Sequence, residues 1–231
     1  MEKRKPIQKF GEFSWVVGLI LLSLGTALAA KADFGVSMVV APAYIISERT
    51  VLTFGLAGWL YEGVVLALLC IAVRRFRVRF LLSFVTSAIY GLALDFWDLV
   101  VFSGFEAEAL WLRIMLLCFS LICVSLGVTF FFMSYLPQQI CDLFVKETCE
   151  KYKLNRNVFK WIFDLASFAL AVILALILFG SAWGHGIGFG TVAATLFNGL
   201  LIALFSGILS KLIDFSPRVK PVYDWFERQK S

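Results

Sequence analysis

Six stretches of the chain run for about twenty residues with scarcely a charge, and short polar or basic segments separate them. They cover residues 13–30, 54–73, 80–101, 109–135, 159–179 and 187–213. None shows the strict alternation of a barrel strand, so each is read as a helix. At about 1.5 Å per residue, a run of this length spans roughly 30 Å, the hydrocarbon thickness of a bilayer. Two intervening segments are more than loops. Residues 35–49 (GVSMVVAPAYIISER) are too apolar for a solvated connection and too short to cross. Residues 137–153 (PQQICDLFVKETCEKYK) place Ile140, Leu143 and Phe144 at helical spacing, with charges on the other side. Both are read as short helices that re-enter the membrane or lie along its interface.

Composition removes the soluble alternative. Of 231 residues, 61% are hydrophobic and 16% charged, against about 45–50% and about 25% in soluble domains. Lipid must therefore be the solvent for much of the surface. The net charge of +5 does not point to nucleic acid, because the basic residues are spread among the connections. With the N-terminus inside, the inner segments hold every Lys and Arg except Lys31, Arg49 and Arg113. The connection after the third span carries Asp98, Glu106 and Glu108 instead. By the positive-inside rule both termini, including a basic tail at 215–231, lie in the cytoplasm. The basic start precedes a first run too long to be a cleaved signal. Cys70, Cys118, Cys123, Cys141 and Cys149 show no metal-ligand spacing and are read as small buried apolar residues or reduced thiols.

Displacing the chain by 102 residues brings two halves into register. Ser23-Leu24-Gly25 falls on Ser125-Leu126-Gly127, and Trp59-Leu60-Tyr61-Glu62 on Trp161-Ile162-Phe163-Asp164. Glu48 and Leu52 fall on Glu150 and Leu154, and Gly91 answers Gly199 after a six-residue insertion. Each half contains a span, a short helix and two further spans. Three crossings per half, about 13–102 and 109–214, turn the second half upside down. The expected fold is thus an all-α polytopic membrane protein of six transmembrane helices, arranged as two inverted three-helix repeats, each with a short re-entrant or interfacial helix. Such repeats are the usual architecture of secondary transporters.

Intramembrane ionisable groups are the first candidates for a site, since burying one unpaired is costly. Glu62 and Asp164 occupy equivalent repeat positions, each three residues after a Trp, and could bind protons or a cationic substrate; snorkelling to the span ends is the alternative. Asp95, in LALDFWD, is a third candidate, with helix capping or snorkelling outward beside Asp98 as the alternative. Lys31 and Asp33 bracket the end of the first span, where a local ion pair is expected. The run from Gly184 to Thr191 holds Gly188, Gly190 and Thr191 at a helix start, where exposed N–H groups could meet a ligand or the glycines could simply allow close packing. Asn198 is the lone amide of the sixth span and could bond substrate or a neighbouring helix. His185 alone builds no metal site, and no nucleophile–base pair is present, so neither enzyme chemistry nor a cofactor is expected.

The stretch Leu24-Gly25 with Lys31-Ala32-Asp33-Phe34-Gly35-Val36-Ser37 resembles the first-helix signature of the YczE/YitT-type bacterial membrane proteins. Gly186-Ile187-Gly188 through Gly190-Thr191, continuing to Asn198-Gly199, is similar to that family's closing motif, and Asp164 to an aspartate of its fifth helix. Met38 departs from the proline usual there. The resemblance implies a bacterial inner-membrane protein in which transport is suspected.

The function expected is a small secondary transporter of a small molecule or ion, with proton coupling through the carboxylates. Two alternatives stand beside it: the substrate-binding membrane subunit of a multi-component importer, and a non-transporting scaffold or regulator. The partners expected are the lipid bilayer, a small-molecule or ion substrate and a second copy of the chain, with no nucleic acid and no metal.

Overall fold

The computed structural model describes residues 11–105 and 107–212, and among them it is all helical. In chain order the helices are α1 (Gly11–Ala32), α2 (Ala41–Arg49), α3 (Phe54–Val73), α4 (Val78–Asp95), α5 (Leu110–Met133), α6 (Ile140–Tyr152), α7 (Arg156–Phe179) and α8 (Phe189–Leu212). A π-helical turn, Phe96–Val101, extends α4. Six helices are long and apolar enough to cross a bilayer: α1, α3, α4 with its π turn, α5, α7 and α8. This is the pattern of a multi-pass membrane protein. The six spans fall where the hydropathy pattern puts them. The tail at 215–231, the end of the last span at Ile213 and Glu106 lie outside the described residues.

Helix ends follow local chemistry. Thr53 caps α3, its hydroxyl accepting from Leu56 N, and Asn155 caps α7, accepting from Asn157 N and Val158 N. The second cap starts α7 at Arg156 rather than at 159. Gly180, at φ 73°, ends α7 in the left-handed conformation that glycine adopts without strain.

The innermost contact is α1 against α5, where glycines let two backbones approach. A Cβ on Gly127 would stand 2.7 Å from Leu22 N, and one on Gly25 2.8 Å from Val124 N. Ser120 Oγ locks the pair by donating to Gly25 O at 2.7 Å. Leucine at Gly127 is therefore expected to lower the melting temperature in detergent sharply. Leucine at Gly207, where a Cβ meets nothing within 4 Å, should leave it unchanged; equal melting of the two variants would contradict this account of the α1–α5 seam.

Around that pair α3 packs on α4, α2 on α3 and α7, and α6 on α7 and α3. The short helices are tucked among the spans. In α2, Ala41, Pro42, Ala43 and Ile45 are buried. In α6, Ile140 and Leu143 are buried as its amphipathic pattern requires, and so are Cys141, Val145 and Thr148; among its charged residues the exception is Glu147, which is buried with them. Glu147 is tolerated there because Arg77 Nη1 lies 3.3 Å from its carboxylate.

The expected Lys31–Asp33 pair is corrected. Asp33 adopts a left-handed backbone (φ 52°) that turns the chain after α1. The two side chains diverge, so Lys31 Nζ meets Asp98 at 2.9 Å and Asp33 meets Arg113 at 2.6 Å. Arg113 also donates to Ala32 O and Asp33 O, which makes it a fork on the end of α1.

Candidate functional site

A cavity of about 540 Å³ lies where α1, α5 and α8 face α6, the start of α7 and the segment leading into α2. Its wall is mostly apolar, built from residues such as Leu117, Leu121, Val124, Val128 and Ile202. Such a wall with a few convergent polar groups is the usual make-up of a small-molecule site.

At the end of the bundle that carries α2, the cavity is closed by backbone. Residues 34–36 lie against the glycine-rich turn before α8, with Val36 N donating to Gly186 O at 2.9 Å and Gly190 N to Phe34 O at 2.7 Å. Gly35 takes φ 105°, and a Cβ there would stand 2.7 Å from Gly188 N, so only glycine fits. Thr191 is buried beneath, its hydroxyl donating to Gly186 O. Glu48 and His185, 2.9 Å apart, and the stacking of His185 on Phe179 fasten the same turn to α2 and α7.

The charged part of the cavity lies towards α6. Lys160 Nζ sits 3.1 Å from Asp164 Oδ1, one turn along α7, and 3.6 Å from Asp142 Oδ1 of α6. An ammonium is thus held between two carboxylates from different helices, each about a quarter exposed. Arg156, one turn before Lys160, lies over the ring of Phe132. Asn198 completes the ring from α8, its Oδ1 accepting from Ser125 Oγ at 3.1 Å. Tyr90, whose hydroxyl donates to Thr26 at 2.9 Å, lines the same space. So does Gln139, whose Nε2 is buried without a hydrogen-bond partner among the described residues. Burial pushes the Cys141 thiol up, keeping it a neutral part of the wall.

Of the residues singled out in the sequence, Asp164, Asn198 and Gly190 line this cavity. Gly188 and Thr191 belong to its closure. Glu62 and Asp95 are placed elsewhere, and both terminate a neighbouring helix. Glu62 of α3 is buried against α4 and α6, where Ser87 Oγ and Ile140 N both donate to its carboxylate. It therefore supplies the acceptor that the first turn of α6 lacks in its own N-cap, Gln139. Asp95 does the same for α3, accepting from Thr53 Oγ1 and Gly55 N, each at 2.6 Å.

Sequence reasoning passed over Lys160, Asp142 and Arg156, which it had counted among the basic and amphipathic connections. The spacing of Lys160 and Asp164, four residues apart on one helix, was the available signal. Among the described residues no three His, Cys, Asp or Glu side chains are grouped as metal ligands.

Residues 11–207 match a family described as "Family of unknown function (DUF6198)", and the chain belongs to that family. It is also similar to "Uncharacterized protein YyaS" of Bacillus subtilis (strain 168), with 24% identity over 198 residues that cover 84% of this chain and 92% of the relative. No solved structure matches.

Proposed function

We propose that this member of the DUF6198 family is a small secondary transporter, in which two inverted halves carry a small molecule or ion across a bacterial inner membrane by alternating access. The observation that carries the reading is the cavity itself. It is large enough for a metabolite-sized solute, is lined on one side by an intramembrane ion cluster, and is sealed at the α2 end. A scaffold has no need of such a space.

Three further features support it. The halves exchange packing partners as an inverted pair would: α2 of the first packs on α7 of the second, and α6 of the second on α3 of the first. Basic residues crowd the connections on the α6 side, which the positive-inside rule assigns to the cytoplasm. The first-helix and closing motifs resemble the YczE/YitT-type proteins, in which transport is suspected. On this reading the cavity faces the cytoplasm, and Asp164 with Lys160 and Asp142 forms the coupling group, moving a proton or exchanging a cation as the site turns.

The test is purified protein in liposomes. Solutes that raise its melting temperature are first selected, since a ligand of the native state stabilises it by mass action. Each is then offered as a labelled compound with and without a pH gradient. Saturable uptake by the protein alone is expected. Uptake seen only with added ATPase subunits would transfer the reading to an importer subunit, and no uptake of any stabilising solute would reject transport.

A further inference from the structure

The two halves are not in the same conformation, and the difference lies in one seam. In the first half α3 is closed onto α4. Gly55 and Gly91 are in backbone contact: a Cβ on Gly91 would stand 2.7 Å from Gly55 O. Trp59 stacks on Phe84 with ring centres 5.0 Å apart. Asp95 then clasps the start of α3 through Thr53 and Gly55.

In the second half the corresponding helices, α7 and α8, make at most a marginal contact; α8 rests on α5. The counterparts of Gly55 and Gly91 are Asn157 and Gly199, and both line the cavity. A Cβ on Gly199 meets nothing within 4 Å. Trp161, the counterpart of Trp59, is 58% exposed at the same cavity. Asp95 is answered by Ala203, six residues of insertion included, so the second seam lacks a carboxylate clasp.

We infer that α7 and α8 close through Asn157 and Gly199, as α3 and α4 close through Gly55 and Gly91, and that this contact is the cytoplasmic gate of the opposite state. The inference rests on the transport reading above. Inverted repeats that exchange conformations produce such a swap: the open seam of one state becomes the closed seam of the other. The space at Gly199 is then explained. It is empty in this conformation and receives α7 in the other. The missing clasp makes the cytoplasmic seam the weaker of the two, which accounts for its being the open one in this conformation.

Disulfide trapping in native membranes tests this, using the full chain with its five native cysteines replaced. Cysteines bridge only when their Cα atoms come within about 7 Å, so a pair at Asn157→Cys/Gly199→Cys reports the closed seam. A second pair, Asn157→Cys/Ala203→Cys, mirrors the Gly55–Asp95 contact and serves if the first variant is poorly inserted. The control is Asn157→Cys/Phe197→Cys, because Phe197 is 51% exposed and the helical period turns it away from both Gly199 and Ala203. With copper phenanthroline as oxidant, either seam pair is expected to cross-link at least about tenfold faster than the control, since a seam that closes in each cycle meets often. Rates equal to the control in both pairs would overturn the gate. That outcome leaves the transport reading to the liposome experiment, so the two fail separately.

Discussion

Alanine at Glu62 is expected to leave little folded protein, whereas glutamine at the same position should give a stable chain. The carboxylate lies at the junction of three helices and accepts from Ser87 Oγ on α4 and Ile140 N on α6. Truncation to alanine removes Oε2, the one oxygen that accepts both bonds, and leaves a void in a buried site. An unsatisfied buried donor costs about 1–3 kcal/mol, and the lost side-chain volume adds a cavity cost of a few kcal/mol. Folded proteins hold only about 5–15 kcal/mol in reserve. Glutamine keeps the volume and one carbonyl oxygen for Ile140 N–H, so a loss nearer 1 kcal/mol is expected. Melting in detergent with circular dichroism would check this. Equal stability of the alanine and glutamine variants would mean that Glu62 does not hold the start of α6.

Asparagine at Asp164 is expected to reduce liposome uptake to the background of empty vesicles while the protein still inserts and melts normally. The amide retains the size of the carboxyl group and part of its hydrogen bonding, but cannot take up or release a proton. It also leaves Lys160 with Asp142 alone. Asp164 faces the cavity, so its loss changes the site rather than a packed junction. A residue merely snorkelling towards the interface would tolerate the amide, because its carboxylate would already be hydrated. Wild-type uptake in Asp164→Asn, with wild-type response to a pH gradient, would remove this ion cluster from the mechanism.

The contrast between these two carboxylates shows what the sequence could and could not reveal. The spans and both short helices were legible because hydropathy and length decide them locally. The sequence paired Glu62 with Asp164 by register, but the different surroundings of the two carboxylates were not legible in it. Glu62 caps α6 across 78 residues of chain, and Asp95 caps α3 across 40. Capping between helices depends on tertiary placement, which no local pattern encodes. Lys160 was passed over for a related reason. A lysine one turn inside a span reads as the end of a basic connection until Asp142, on another helix, is seen beside it.

The seal at the α2 end is made of amides, and that gives it a clock. Val36 N and Gly190 N are held by Gly186 O and Phe34 O, and an amide exchanges its hydrogen with solvent only while such a bond is broken. If every turn of the cycle parts residues 34–36 from the glycine-rich turn, deuterium will enter these two positions at a rate set by turnover. Peptide-resolved exchange would then time the machine in the absence of any known cargo. A solute that speeds exchange at both amides without loosening α1 or α5 would identify itself as the substrate.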